Sequence, residues 1–198
     1  MYKLLAITNR HLCNNDFLTQ IQKICLLNEK KTVIKSVSIV LREKDLPEEH
    51  YKALAEKVIK ICEKNNTECI LHTYYKAARV LNCKKIHLPL HVLKSNPDIY
   101  KEFKEIGVSI HSVSEAIEAM NLGAAYITAG HIFATDCKKC LPPRGLDFLT
   151  SVCASVNIPV YAIGGISPVN AEKIIKAGAE GICIMSGLMN CEDPTVFI

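Results

Sequence analysis

Short apolar runs alternate with longer amphipathic stretches along the whole chain, and this alternation restricts the fold more than any other feature. Eight runs read as strands, over residues 3–7, 37–41, 69–71, 85–88, 107–110, 126–129, 160–163 and 181–185. Helix-like stretches lie between them, among others at 48–64, 114–122 and 169–177. The last of these opens on Ser167-Pro168 and closes at Gly178, which are sound start and stop signals. Strict alternation of this kind yields a mostly parallel sheet, closed or doubly wound. With 198 residues, each strand-helix unit has about 25, near the lower size limit of an eight-stranded β/α barrel. The expected fold class is therefore α/β, a (β/α)8 TIM barrel forming a single domain over residues 1–198. A doubly wound open sheet shows the same alternation, and the placement of polar residues favours the barrel. Arg42 and Lys44, His72, His111, the run from His131, Gly164-Gly165 and Ser186-Gly187 each follow a strand, and a barrel would gather them at one mouth. After the eighth strand only residues 186–198 remain, interrupted by Asp193-Pro194, so the last helix is expected to be short or absent.

The composition excludes several classes. With 49% hydrophobic and 22% charged residues the chain can bury a sizeable core. Its 24 basic and 20 acidic residues are scattered and leave only +4, too little for a nucleic-acid footprint but compatible with phosphorylated metabolites. The apolar run near the N-terminus is shorter than that of a signal peptide, and no stretch reaches the roughly 20 apolar residues that span a bilayer. A soluble, cytoplasmic protein without a membrane partner is expected, and the sequence leaves room for a homo-oligomer. The ten cysteines are scattered, which argues against a disulfide framework. Cys69 and Cys183 fall in strand-like runs and Cys25 and Cys62 in helix-like ones, where reduced cysteine packs as a small apolar group. Cys137 and Cys140 have C-x-x-C spacing but lack the second pair that a structural zinc site needs.

Several constellations can carry chemistry. The turns Ile163-Gly164-Gly165-Ile166 and Met185-Ser186-Gly187 follow the seventh and eighth strands, where barrels often bind phosphate through backbone N–H groups. Ordinary tight turns are the alternative. His111 follows the fifth strand in Ser109-Ile110-His111-Ser112, ahead of a helix that Ser114 could cap. A histidine there can exchange a proton with a bound substrate or serve a structural role. The loop over 130–139 holds His131, able to bond a neighbouring loop, and Lys138, able to meet an anion; a solvated loop is the alternative. Arg42-Glu43-Lys44-Asp45 reads either as a solvated charge run or as one that turns Arg42 inward. His72, His87 and His91 invite a metal reading, but no carboxylate is near in sequence and Pro89 interrupts helical geometry between the last two. Buried or loop histidines are expected there, and no metal site.

Taken together, these motifs resemble the thiamin phosphate synthase and thiazole tautomerase superfamily nearly end to end. The resemblance rests on Ala6-Ile7-Thr8, Leu41-Arg42-Glu43-Lys44-Asp45-Leu46, Ile86-His87-Leu88, Gly107 to Ser112, Gly130 to Lys138, Ile158 to Gly165 and Ala177 to Ser186. The synthase pattern has a Gln two residues before the second-strand Arg, an Asn-Asp pair after the third strand and a further acid after the fourth, which bind pyrophosphate and magnesium. Here those places hold Val40, His72-Thr73 and the neighbourhood of His91. The loop Gly130-His131-Ile132-Phe133-Ala134-Thr135-Asp136-Cys137-Lys138 resembles instead the tautomerase (TenI) branch and its Gly-His-x-Phe-x-Thr-Asp-Cys-Lys pattern. The resemblance implies a thiazole tautomerase, an isomerase, with His111 as the catalytic histidine. It also implies a phosphorylated thiazole as substrate, bound by Arg42, Lys44, Ser109, His131, Thr135, Lys138, Gly164, Gly165, Ser186 and Gly187. No cofactor is expected, and magnesium only for a divergent synthase. A non-catalytic binder of thiazole or thiamin phosphates is the remaining alternative.

Overall fold

The computed structural model describes residues 1–30, 33–138 and 141–197. Eight parallel strands follow one another in sheet order and close into a barrel. They are β1 (Tyr2–Ile7), β2 (Ile34–Leu41), β3 (Glu68–His72), β4 (Lys85–Pro89), β5 (Glu105–Ile110), β6 (Tyr126–Gly130), β7 (Val160–Ile163) and β8 (Gly181–Ile184). The α-helices are α1 (Phe17–Cys25), α2 (Glu48–Lys64), α3 (Tyr75–Val80), α4 (Leu90–Ser95), α5 (Val113–Asn121), α6 (Gly145–Ser155), α7 (Pro168–Lys176) and α8 (Ser186–Asn190). The (β/α)8 expectation holds, and α8 is short at five residues before a 3-10 turn over Pro194–Phe197. Two compact units divide the chain, Met1–His87 with Ile184–Ile198, and Leu88–Cys183.

In the first unit, α2 shows why the pattern was readable. Its buried residues Tyr51, Ala55, Val58 and Cys62 recur at helical spacing, and Glu48 and Glu49 in its first turn complement the helix dipole. That stripe packs with α1, whose Ile21, Ile24 and Cys25 are fully buried, on the sheet face formed by Val37, Ile39 and Leu41. The alternate β2 residues Ser36 and Ser38 are only partly buried, the period-2 signature of a strand. Tyr51 also carries a polar duty, since its hydroxyl donates to Leu41 O at 2.7 Å and accepts from His72 N at 3.0 Å.

In the second unit, β5 pairs with β6 and β6 with β7 in regular register, with Ile110 opposite Ala129 and Ala129 opposite Ala162. Ser167 caps α7 in a capping box with Asn170, and Pro168 occupies the first turn as read from the sequence. For α5 the sequence reading needs correction: Ser112, not Ser114, is the N-cap, its hydroxyl accepting from Glu115 N at 3.1 Å. Ser112 is the residue in extended backbone immediately before the helix, whereas Ser114 already lies in its first turn.

Every described cysteine is a free thiol, and Cys25, Cys62 and Cys183 are buried as expected, whereas Cys69 near the start of β3 is only half-buried. The Cys62 thiol and burial push Cys25 up, the Cys69 thiol and burial push Cys62 up against a lowering contact from Cys25, and burial alone pushes Cys183 up, all out of the reactive range. Cys140 lies outside the described residues, so the C-x-x-C spacing can be followed only to the exposed Cys137. Among the described residues no helix is long and apolar enough to cross a membrane.

Candidate functional site

The second unit carries His111, the histidine that the sequence places after the fifth strand. β5 alternates, so that Ser109 shares a face with its register partner Thr128, whose hydroxyl donates to Ser109 Oγ at 3.3 Å. His111 follows two residues beyond Ser109, past the strand end, and is exposed. Its backbone N–H donates to Glu115 Oε2 at 2.5 Å, and its Nδ1 lies 3.0 Å from Gly130 O. A carbonyl can only accept, so Nδ1 carries the hydrogen and the neutral ring turns Nε2 outward as a base. The Ser112 cap, Glu115 and the end of β6 therefore fix both the orientation and the tautomer of one imidazole.

The loop after β6 runs against the turn after β7. Ile132 N donates to Ile163 O at 2.9 Å and Phe133 N to Gly164 O at 3.0 Å, which prolongs the strand pairing beyond both ends. This explains the glycine pair structurally. Gly164 and Gly165 have φ of 102° and 64°, and a Cβ at Gly164 would lie 2.3 Å from His131 Cβ, one at Gly165 2.3 Å from Ala134 O. Both positions thus need glycine for backbone sign and for the close approach of the neighbouring loop. His131, expected among ligand-binding residues, is buried, with Nε2 3.2 Å from Leu141 O and its carbonyl accepting from Arg144 N at 3.0 Å. Its ring therefore braces its own β6–α6 loop, not the neighbouring loop that the sequence suggested. Thr135 lies beside a 3-10 turn over Asp136–Lys138, its carbonyl accepting from Lys138 N at 3.0 Å.

In the first unit, the ends of β1 to β4 hold a polar cluster. Thr8 is fully buried; its hydroxyl donates to Glu43 Oε1 at 2.7 Å and accepts from Arg42 N at 2.9 Å. Glu43, at 2% exposure, also accepts from Arg10 N with both carboxylate oxygens at 3.1 Å, and from Arg10 Nη1 at 3.1 Å. His72 and His87 are register partners with stacked rings 5.4 Å apart. Burial holds both imidazoles neutral, His87 at about 3, and the positive field of Lys44 acts in the same direction on each, joined at His72 by that of Arg42. His72 Nδ1 lies 2.7 Å from Thr73 Oγ1, and Thr73 adopts φ 67°. His91 is exposed on α4, and among the described residues no three His, Cys, Asp or Glu side chains are placed to hold a metal ion.

Ser186 and Gly187 open α8, and Phe197 covers Gly187 so closely that a Cβ there would meet its ring at 2.6 Å. Gln20 closes the other end, Nε2 donating to Leu188 O at 2.6 Å and Cys191 O at 3.1 Å. Sequence reasoning missed Thr8, Arg10, Glu43 and Tyr51. A buried acid inside an alternating charge run has no local signature, but Tyr51 could have been found, since it sits on the apolar stripe of α2 and a buried tyrosine hydroxyl needs a partner.

Residues 4–188 match the family described as thiamine monophosphate synthase. The thiamine-phosphate synthase of Clostridium botulinum is 31% identical over 196 residues, covering 97% of this chain and 92% of that protein. The Clostridium acetobutylicum protein of the same name is 32% identical, covering 96% and 89%. Among solved structures, the thiamine phosphate pyrophosphorylase from Pyrococcus furiosus superposes with a TM-score of 0.77 at 26% identity, covering 97% of this chain and 89% of that one. These names support the superfamily; none of the three is that of the tautomerase branch.

Proposed function

Because the chain belongs to the thiamine monophosphate synthase family, we propose that it acts on that chemistry's thiazole phosphate as a tautomerase, turning the non-aromatic carboxythiazole phosphate into its aromatic isomer. The observation that carries the reading is the His111 Nδ1 contact with Gly130 O, which leaves Nε2 as a base. Nε2 takes the proton from the ring carbon bearing the carboxylate, the C–H electron pair flows into the ring, and the same proton or its equivalent returns to the exocyclic carbon. The reaction is a proton shift through the conjugated ring with no net gain or loss of atoms or electrons, and one imidazole can be base and acid in turn. The Gly130 carbonyl accepts from Nδ1 throughout and keeps the ring in one orientation. Backbone N–H groups after β7 and the start of α7 are assigned to the phosphate. Ser109, Thr135 and Lys138 in the same unit are proposed substrate contacts.

The names of the relatives favour a second reading, synthesis of thiamin phosphate from thiazole phosphate and hydroxymethylpyrimidine pyrophosphate. That reaction calls on magnesium, and the residues present do not fit it. Where the synthase pattern has Asn-Asp, the chain has His72 and Thr73, with the imidazole under the field of Lys44 and Arg42. Magnesium prefers oxygen ligands and is repelled by such a field. The two readings separate in one experiment. Ultraviolet-monitored aromatisation of the carboxythiazole phosphate tautomer is compared for wild type, His111→Asn and the uncatalysed reaction, alongside a synthase assay with magnesium. Acceleration by wild type alone supports the shuttle; synthase turnover without it establishes the second reading; phosphate binding with neither activity marks a binder.

A further inference from the structure

Helix α1 ends on Cys25, and Cys62 lies 37 positions on, in the last turn of α2. Both side chains are buried where the two helices pack, and their Sγ atoms are 4.0 Å apart. One residue holds the backbone beside both. Thr67 N donates to Cys62 O at 2.8 Å, and the Thr67 hydroxyl reaches Cys25 O at 3.4 Å. Asn28 Nδ2 donates to Thr67 Oγ1 at 2.9 Å and to Val37 O at 3.0 Å, so the segments that follow α1 and α2 are tied to each other and to β2. A third thiol approaches from the sheet. Ile39 and Leu41 face the helices, and so do their register partners on β3, Cys69 and Leu71. Cys69 is half-buried, and its thiol bears on that of Cys62.

We infer that Cys25 and Cys62 are a latent disulfide pair, a covalent lock between α1 and α2 that closes under oxidation with Cys69 as its entry thiol. The 4.0 Å between the sulfurs leaves a gap of about 2 Å to an S–S bond, within reach of side-chain rotation. An oxidant from solvent meets Cys69 first, since Cys25 and Cys62 are buried. A small-molecule disulfide such as oxidised glutathione supplies the oxidant. The Cys69 thiolate attacks one of its sulfurs, forming a mixed disulfide and expelling the first small thiol. Cys62 attacks Cys69 Sγ and expels the second; Cys25 then attacks Cys62 Sγ and returns Cys69 to the thiol. Each attacking sulfur gives up a proton, and each departing sulfur takes one. The protein gains one S–S bond and the small molecule loses one, as two electrons and two protons pass from Cys25 and Cys62 to the two small thiols. None of the three cysteines has a part in the proposed proton shift.

The test exposes the whole chain to oxidised glutathione and maps its disulfides by mass spectrometry after free thiols are blocked in denaturant. Wild type is expected to yield the Cys25–Cys62 linkage and to shift its unfolding equilibrium about 10²–10³-fold towards the folded state, as a disulfide closing a loop of this length does. Reduction should reverse both. Cys69→Ala should reach the same linkage about tenfold more slowly, and Cys62→Ala should gain no stability from the oxidant. If either variant does not fold, the wild-type map decides. Free Cys25 and Cys62 in oxidised wild type overturn the inference even where the exposed Cys137 has reacted, because the contact is then apolar packing alone. A linkage that stops at Cys62–Cys69 overturns the lock between the helices, and an unchanged rate in Cys69→Ala overturns the entry route.

Discussion

Replacing Gly164 by alanine tests whether the glycine pair after β7 exists for loop packing. At φ 102° a side chain adds backbone strain of about 1–3 kcal/mol. The new Cβ would also lie 2.3 Å from His131 Cβ and 2.7 Å from its Cα. Neither neighbour is the end of a flexible chain, so the overlap is relieved only by shifting the loop, at about 1–3 kcal/mol for overpacking. The expected total is about 2–6 kcal/mol. Gly123 supplies the reference, since its φ is 87° but a Cβ there meets only Tyr100 Cβ at 3.8 Å, an ordinary contact. Gly123→Ala should therefore carry the strain alone, and denaturant midpoints of the two variants at equal slope isolate the packing part. A Gly164→Ala cost within about 0.5 kcal/mol of the Gly123→Ala cost would refute the packing argument and return the glycine to a role in ligand approach. The loop shift should also reach catalysis, because Gly130, the residue before His131, supplies the carbonyl that orients His111.

Two further outcomes follow from named groups. His111→Asn should leave binding of the aromatic carboxythiazole phosphate intact while lowering kcat by about 10²–10⁴-fold, read by the ultraviolet assay; equal loss in affinity and kcat would assign His111 to binding. His87, held at about 3 against its ordinary 6.5, binds its proton in the unfolded chain first. Its contribution to stability is therefore complete above about pH 6.5 and erodes as pH falls towards 3, at up to about 1.4 kcal/mol per unit. Denaturation measured from pH 7 to 4 should be flatter in His87→Gln, and an identical pH slope would show that the imidazole is not held neutral.

The parts of the fold that were legible share a physical cause. Strand β7 and helix α2 were bounded from sequence as they stand in the structure because each has a clean period and a hard stop, Gly164 after one and Pro47 before the other. β2 begins three residues earlier than its apolar run suggests, since Ile34 and Ser36 pair with β1 while Lys35 sits at a register shift between them, and neither Lys35 nor Ser36 contributes an apolar side chain. The candidate site was legible where a residue followed a strand, as His111 does. It was illegible where function depends on who meets whom. Glu43 and Asp45 read like any solvated pair, and only the fold brings Arg10 to them. His131 illustrates the converse: its motif position suggested a ligand contact, while its ring is committed to Leu141 O.

Thr73 joins the backbone to the question of which family chemistry survives. A β-branched residue at φ 67° is strained, whereas Asn and Asp adopt that region readily. The turn after β3 thus has the backbone suited to the acidic pair that the synthase pattern places there, with a threonine standing in it. The hydroxyl compensates in part through its 2.7 Å contact with His72 Nδ1, and Thr73 N donates to His87 O at 2.9 Å. Thr73→Asn should relieve about 1–2 kcal/mol of strain and offer an amide to the same imidazole, whereas Thr73→Val keeps the strain and loses the contact, worth about 1 kcal/mol. The asparagine variant should therefore exceed the valine variant by about 2–3 kcal/mol in denaturant unfolding. Equal stabilities would mean that the turn is not strained as described. Combining His72→Asn with Thr73→Asp then restores oxygen donors on an unstrained turn. Magnesium-dependent pyrophosphate binding gained in that double variant would locate the divergence from the synthase in these two residues. If none is gained, the field of Lys44 and Arg42 is the stronger barrier to a cation.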